Sequence, residues 1–251
     1  MERMIARPDL APDADLSRAE MEALQHDVAE AAIFEDDADG FADGKDDRTD
    51  PPLVAGVDQA FLDDRAISAI VVLQGESVHE RVAAESPLEI PYIPGLLSFR
   101  EGSPILDAFE QLSAAPDFVL FDGSGRIHFR QAGIATHMGV VLDRPSVGVA
   151  KRLLCGEPRG SLENLQTGSR VPIEADSRVD APAGTHLGYA VQTKQYESSS
   201  RWINPLYVSA GHRVSSETAS NLVIETCAGY KLPEPIRLAD AYVGEVKREL
   251  G

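Results

Sequence analysis

Basic side chains are scarce in this chain. Its 251 residues include 23 lysines and arginines against 41 aspartates and glutamates, which gives a formal net charge of −18. Nucleic-acid-binding proteins are usually basic, because their cationic side chains displace counterions from the phosphates. Taken alone, this charge argues against DNA or RNA as a partner. It fits an acidic, hydrated surface that keeps a protein soluble in a salt-rich cytoplasm.

Cysteine and long apolar runs are also lacking. The two cysteines, Cys155 and Cys227, have no metal-site spacing and are expected to be buried thiols in a reducing compartment. No apolar run approaches the ~18 residues of a membrane span, and the N-terminus lacks the apolar core of a secretory signal. These absences predict a cytoplasmic protein without a membrane segment.

The acidic residues are concentrated at one end of the chain. Residues 1–50 hold 16 acids and 5 bases, a net charge of −11, whereas the rest of the chain carries −7. Residues 14–33 place apolar side chains on one helical face, with Ser17 positioned to cap the helix. The acidic stretch that follows is typical of a solvated linker. We therefore predict an N-terminal extension, residues 1–50, and a folded domain, residues 51–251.

The pattern from Leu53 onward predicts an α/β domain with a mixed central sheet flanked by helices. Three strand-like stretches come first, and helices and strands then alternate. The predicted strands are 53–61, 67–74, 77–85, 117–123, 145–153, 187–194 and 205–211. The predicted helices are 103–112, 134–143 and 215–230.

Acidic residues stand at the ends of apolar strands. Asp58 follows Val54–Val57 and Asp122 follows Phe118–Phe121. A buried carboxylate must be paired or bound to a metal, or it costs several kcal/mol, roughly. Adjacent parallel strands would bring the two together with Glu101, and such oxygen ligands suit Mg²⁺ or Mn²⁺ better than zinc. The alternatives are a distant salt bridge or a loop cap for each aspartate, and a helix-start charge for Glu101.

Three basic or polar residues occupy similar positions. Lys151 closes the apolar stretch SVGVAK, His212 follows PLYVSAG, and His128 lies six residues beyond Asp122. Each alone is more often an ordinary surface or core-edge residue. Their shared position after apolar strands predicts that they line one cleft.

The stretch PYIPG holds Tyr92 and Ile93 between Pro91 and Pro94. Two prolines so close together restrict the backbone on both sides of the ring. The segment is therefore either a proline-rich turn with a packed tyrosine or a rigid mount for an aromatic side chain.

Together, six stretches resemble the endonuclease V family over roughly residues 50–245. They are VAGVDQAF at 54–61, PYIPGLLSFREG at 91–102, DFVLFDGSGRIH at 117–128, GIATHMGVVLDRPSVGVAKRLLCG at 133–156, YVSAGHRVS at 207–215 and GYKLPEPIRLAD at 229–240. The resemblance implies a ribonuclease-H-like fold and a Mg²⁺-dependent endonuclease, with Mn²⁺ as an alternative metal. It makes residues 51–251 an endonuclease V-like catalytic domain.

The resemblance also assigns residues and a substrate. It implies recognition of deaminated adenine in DNA and cleavage of the second phosphodiester bond on its 3′ side, which leaves 3′-hydroxyl and 5′-phosphate ends. The implied metal ligands are Asp58, Glu101 and Asp122, and Lys151 and His212 are the further catalytic residues. The implied wedge in the duplex is Pro91, Tyr92, Ile93 and Pro94. The implied pocket for the flipped base is Gly95, Leu97, Gly123, His128 and Ile134.

Two positions depart from the family pattern. Ser124 and Phe129 stand where the family commonly has histidine and proline, so the loop beside the pocket is expected to differ in shape and in substrate preference. The alternatives on the same scaffold are an inosine-specific ribonuclease and a nuclease for flaps and mismatches. A non-catalytic binder of deaminated nucleic acid is the alternative class. Intact metal-binding acids disfavour the binder.

The negative charge places a condition on this interpretation. A monomeric DNA-binding enzyme of this composition must gather its bases around the cleft, or it would depend on divalent metal to bridge the phosphates. We predict a positive or neutral groove on an otherwise negative surface. The expected bases are Arg100, Arg126, Arg130, Lys151, Arg152 and Arg213. The resemblance and the acidity together predict a source among halophilic archaea.

Overall fold

The computed structural model describes residues 5–36, 50–198 and 201–250. Its helices are α1 (Arg18–Ala31), α2 (Leu97–Gln111), α3 (Ile134–Leu142), α4 (Ser216–Glu225) and α5 (Glu234–Leu250), after a short 3-10 helix at Pro8–Leu10. Its strands are β1 (Leu53–Phe61), β2 (Arg65–Gln74), β3 (Ser77–Pro87), β4 (Phe118–Phe121), β5 (Ser146–Ala150), β6 (Glu157–Pro158), β7 (Arg170–Glu174), β8 (His186–Val191) and β9 (Leu206–His212).

The strands form one mixed sheet in the order β3-β2-β1-β4-β5-β9-β8-β7-β6. β1, β4 and β5 are parallel neighbours, whereas β2 and β9 continue the sheet as antiparallel strands on either side of them. The predicted initial meander and mixed sheet are confirmed. β4 is buried along its whole length, as expected for a central strand covered on both faces.

Helices cover both faces of the sheet. On one face, α2 and α3 pack with Val119 and Phe121 of β4. On the other, α4 and α5 pack with Phe118 and Leu120. Alternate residues of a strand point to opposite faces, so β4 supplies both cores.

The helix predicted near the N-terminus is present as α1. Ser17 accepts a hydrogen bond from the Glu20 amide, and the Glu20 carboxylate accepts one from the Ser17 amide at 2.8 Å, which makes a capping box. Val28 is fully buried in the same core as α2 and α3. Most of the predicted acidic linker, residues 37–49, lies outside the described residues.

The start of α5 lies directly on β1. A Cβ at Gly56 would stand 2.1 Å from the backbone carbon of Pro235, so only glycine permits this contact. The packing carries the second turn of α5, including Asp240, to the edge of the sheet where Asp58 lies. The sequence patterns had predicted neither α5 nor the strands β6 and β7. In the described part of the chain, no helix has the length and apolar character needed to cross a membrane.

Candidate active site

Two aspartates lie side by side where the pairing of β1 with β4 ends. The parallel ladder runs as far as Val57 opposite Phe121, and Asp58 and Asp122 follow directly. The Asp122 amide donates to the Val57 carbonyl at 3.1 Å, which fixes the chain as it leaves β4. The predicted juxtaposition of the two acids is therefore present, and Asp58 is only 8% exposed.

Glu101 faces these aspartates from α2. It is the fifth residue of the helix, which begins at Leu97, so the alternative of a helix-start charge is wrong. Burial raises the pKa of Glu101 to about 8; the Arg100 charge opposes this shift, and the charges of Asp58 and Asp122 add to it. Burial likewise raises the pKa of Asp58, and the charge of Asp122 raises it further.

Asp240 is a fourth acid of this cluster, which the sequence patterns did not identify. Its carboxyl group lies close enough to Asp58 to contribute to the raised pKa of that residue. Asp240 is the last residue of the family-like stretch GYKLPEPIRLAD. That stretch was the available signal, but without a predicted α5 nothing placed its aspartate beside β1.

Lys151 supplies the positive charge of the cluster. Its Nζ donates to Asp122 Oδ2 at 2.5 Å, while its side chain remains 48% exposed. Partial burial lowers the pKa of Lys151, but the hydrogen bond and charge of Asp122 outweigh burial and raise it. A charged amine with free access to solvent thus stands beside the acids.

The donors fit a hard divalent cation. Among the described residues, no three His, Cys, Asp or Glu side chains are close enough together to hold a metal as they stand. The groups present are nevertheless carboxylates, the ligands that Mg²⁺ prefers. Burial and mutual repulsion raise the pKa values of Asp58 and Glu101, and a cation would relieve that repulsion. Asp58, Glu101 and Asp122 are the residues that would hold it, with Asp240 beside them.

A cavity of about 370 Å³ is lined by Ser98, Ser124 and Ala150, which lie close in the chain to Glu101, Asp122 and Lys151 respectively. Of the predicted wedge, Tyr92 and Ile93 line it, and the Tyr92 side chain is 66% exposed at its rim. Of the predicted pocket, Gly95, Leu97, His128 and Ile134 line it. Gly123 stands behind the wall, since a Cβ there would meet Ile134 Cγ2 at 2.5 Å. The volume is within the range of small-molecule sites.

The N-terminal helix supplies a buried polar group to this cavity. Gln25 of α1 is 1% exposed and donates to the Gly95 carbonyl at 2.8 Å. The same carbonyl lies 3.1 Å from His128 Nε2. Burial lowers the pKa of His128 to about 4, and its Nδ1 accepts a bond from the Arg130 amide at 3.2 Å. His128 is thus neutral at pH 7, with its proton on Nε2.

One departure from the family pattern lines this cavity, and the other packs against a residue that lines it. Ser124 lines it. The Phe129 ring packs against Gly95, where an added Cβ would stand 2.9 Å from Phe129 Cδ2. The positive φ of +83° at Gly95 would in any case strain other residues.

Comparison with known proteins agrees with this arrangement. The sequence profile of the endonuclease V family matches residues 41–241. The chain is 57% identical to an endonuclease V of the halophilic archaeon Haloarcula marismortui over 96% of both chains. The chain belongs to the endonuclease V family.

Solved endonuclease V structures have the same ribonuclease-H-like fold. The enzyme from Streptomyces avermitilis superposes with a TM-score of 0.78 at 29% identity, over 97% of both chains. The Ciona intestinalis enzyme, crystallised with a 24mer DNA containing an inosine followed by a ribo-adenosine, gives a TM-score of 0.72 at 24% identity. It covers 93% of this chain and 98% of its own. The predicted fold and family are confirmed.

His212 does not join the acids in this member of the endonuclease V family. β9 runs antiparallel to β5, and His212 pairs with Ser146 at the beginning of β5, whereas Lys151 follows the end of β5. His212 Nε2 lies 3.2 Å from Asp143 Oδ1, and its Nδ1 accepts from the Ile33 amide at 3.2 Å. His212 therefore does not line one cleft with Lys151 and the acids. It instead links the end of α3 to the end of the N-terminal segment.

The expected arginines have varied positions. Arg213 pairs with Asp143 at 2.7 Å, beside His212 and away from the acids. Arg130 pairs with Glu22 at 2.8 Å, and Arg126 stacks on Phe34 at 4.5 Å. Arg100 donates to the Ile90 carbonyl at 2.8 Å. Arg152 is exposed and lines the cavity. Lys151 thus adjoins Asp122, the charge of Arg100 acts on Glu101, and Arg152 lines the cavity.

Proposed function

We propose that this chain is a metal-dependent endonuclease that recognises deaminated adenine in nucleic acid. It hydrolyses the second phosphodiester bond on the 3′ side of the lesion and leaves 3′-hydroxyl and 5′-phosphate ends. One observation carries the proposal: Asp58, Glu101 and Asp122 gather where the pairing of β1 with β4 ends. A cavity with an exposed tyrosine at its rim is lined by Ser124 and Ala150, which closely follow Asp122 and directly precede Lys151 in the chain.

Tyr92 and the cavity have complementary roles in recognition. Extruding a base from a duplex costs a few kcal/mol, roughly, and an aromatic ring that stacks in the gap recovers part of that cost. Pro91 and Pro94 restrict the backbone around the ring before binding, so little conformational entropy is lost when the ring contacts the duplex. The cavity takes the extruded base. The inosine-containing DNA bound by the Ciona relative supports this substrate class.

The acids and Lys151 would act on the phosphate. Bound Mg²⁺, with Mn²⁺ as the alternative, would activate water and stabilise charge on the leaving oxygen. Asp58, Glu101 and Asp122 would hold the ion, and Asp240, which lies beside Asp58, would help to orient that carboxylate. Lys151 leaves Asp122 for a phosphate oxygen when the strand binds, because its amine is exposed and charged.

A nicking assay tests the proposal. Labelled duplexes with one deoxyinosine are incubated with Mg²⁺ or EDTA, at low and at molar salt. We expect a Mg²⁺-dependent cut one nucleotide beyond the lesion, which the Asp58→Asn variant loses. The Asp63→Asn variant is the matched control, since Asp63 is exposed in the turn after β1.

Two other outcomes would identify the alternatives. Faster cleavage of a matched strand with inosine in RNA would make the protein a ribonuclease on the same scaffold. Tight lesion binding without any cut would make it a non-catalytic binder. A monomeric state, a cytoplasmic location and a neutral or positive groove around the acids remain predictions.

A further inference from the structure

Exposed aromatic rings and cations gather beyond the active site, around the connection between β8 and β9. We call this set the hairpin patch; it consists of Lys194, Tyr196, Arg201, Trp202, Tyr230 and Lys231. Trp202 is 70% exposed, Tyr230 50% and Tyr196 41%. Trp202 is the single tryptophan of the chain, and so large an exposed indole contributes nothing to the core.

Cationic side chains lie against the aromatic rings of the hairpin patch. Arg201 stacks on Tyr196 at 4.5 Å, and Lys194 lies 5.8 Å from the centre of the Tyr230 ring. Flat rings and cations on a surface that is otherwise strongly acidic match the bases and phosphates of a nucleic-acid strand. The acidic remainder of the protein surface would repel the phosphates of the same strand.

Short hydrogen bonds tie the two halves of the hairpin patch together. The Thr193 hydroxyl donates to the Lys231 carbonyl at 2.6 Å, and Lys194 Nζ donates to the Gly229 carbonyl at 2.7 Å. Beside Trp202, the Ile203 amide donates to Gln195 Oε1 at 2.8 Å. The surface is therefore held by the fold at its base.

The hairpin patch lies at the same end of the sheet as the acids. Val191 at the end of β8 pairs with Leu206 at the start of β9, and Tyr207 pairs with Ala150, directly before Lys151. Burial lowers the pKa of Lys231, and the nearby charge of Lys151 lowers it further. The Lys231 amine of the hairpin patch therefore lies near that of Lys151.

The cavity and the hairpin patch lie on opposite sides of the acids. Residues of α1, α2 and α3 line the cavity, and these helices share one face of the sheet. Tyr230 and Lys231 belong to the connection between α4 and α5, which cover the other face. Asp58 lies in β1, and Asp122 and Lys151 directly follow β4 and β5, the sheet strands that separate these two faces.

We propose that the hairpin patch binds the nucleotides on the 3′ side of the scissile phosphate, with Trp202 stacking on a base. This proposal rests on the proposed function, because the 3′ direction follows from a cut on that side of the lesion. The patch extends the substrate contact beyond the wedge and the pocket.

The intrinsic fluorescence of Trp202 reports this contact directly. The wild-type protein is titrated with deoxyinosine duplexes in Ca²⁺, which takes the same carboxylate ligands as Mg²⁺. One duplex is long on both sides of the lesion, one ends just past the scissile bond on the 3′ side, and one is equally short on the 5′ side. We expect quenching with the first and third duplexes and none with the second.

Variants separate stacking from structure. Trp202→Ala should weaken binding of the long duplex by about tenfold, and the difference from wild type should vanish on the duplex with the short 3′ side. Trp202→Phe, which keeps an aromatic face, should restore most of the loss. Quenching that depends on the 5′ side instead, or equal binding by wild type and Trp202→Ala, would overturn the proposal.

The nicking assay runs in parallel and keeps the two proposals distinct. Lesion-specific cutting without any fluorescence change would overturn the role of the hairpin patch and leave the proposed function intact. Absence of cutting on any lesion strand would reject the proposed function itself.

Discussion

At the scale of single residues, burial of the His137 imidazole couples the stability of the fold to pH. It is fully buried in α3, where its Nδ1 lies 2.9 Å from Ser98 Oγ and its Nε2 lies 2.8 Å from the Leu10 carbonyl. Burial lowers its pKa to about 4, against ~6.5 for an exposed imidazole. Between these two values the unfolded chain binds a proton that the folded chain does not. The free energy of unfolding must therefore fall as the pH drops through this range.

We expect the free energy of unfolding to fall by about 2 kcal/mol between pH 7 and pH 5 because of His137. The stabilisation from its neutral, buried form is fully present only above pH ~6.5. Urea unfolding of wild type and His137→Gln at both pH values measures this. The variant should be less stable at pH 7. It should lose less stability on acidification because the contribution of His137 is gone, and it should still lose some because His128 titrates in both proteins. Parallel pH dependences in the two proteins would contradict the assignment.

At the scale of secondary-structure elements, α1 supports the proposed recognition site. Its Met21 packs with Leu96 and Phe99, and Ile93 of the wedge packs against the same cluster. Gln25 binds the Gly95 carbonyl and accepts from Arg130 Nη1 at 3.0 Å. The helix therefore supports the whole segment between the wedge and the pocket, although it precedes the residues matched by the family profile.

Replacing Gln25 by methionine should weaken lesion recognition more than it slows the cut. The change keeps the length of the side chain but leaves a buried carbonyl and Arg130 without this partner, at a cost of ~1–3 kcal/mol. We expect a higher KM for deoxyinosine duplexes with kcat less affected, measured by nicking kinetics. Glu30→Gln, on the exposed side of α1, is the matched control. A uniform fall in kcat at constant KM would argue against a positioning role.

Strand direction explains which predicted residues meet at the site. Apolar runs revealed β1, β4, β5 and β9 and the polar residues that follow them. These runs do not show in which direction each strand lies in the sheet. β4 and β5 are parallel, so Lys151 meets Asp122 at one end of the sheet. β9 is antiparallel to β5, so His212 lies at the other end. Asp240 escaped prediction for a related reason. Its place depends on the long-range contact of α5 with Gly56, which no local pattern contains.

At the scale of the whole molecule, the net charge of −18 opposes the folded state. Like charges gathered on a compact surface repel one another, and salt shortens the reach of that repulsion from ~8 Å at physiological ionic strength to ~3 Å at 1 M. Surface ion pairs such as Arg18–Glu22 and Arg65–Glu85 lose strength in the same salt, but each is worth at most ~1 kcal/mol. Relief of repulsion should therefore dominate.

We expect the midpoint of thermal unfolding to rise between 0.1 M and 2 M KCl by about 4–8 °C, equivalent to ~2 kcal/mol for a chain of this size. Calorimetry measures the shift. An uncharged osmolyte at matched osmolality is the control, because it is excluded from the surface without screening charge. An equal rise with the osmolyte would assign the effect to exclusion, and a falling midpoint in KCl would mean that the ion pairs outweigh the repulsion. A larger rise in KCl than in the osmolyte would show that screening of the surface charges stabilises the folded protein.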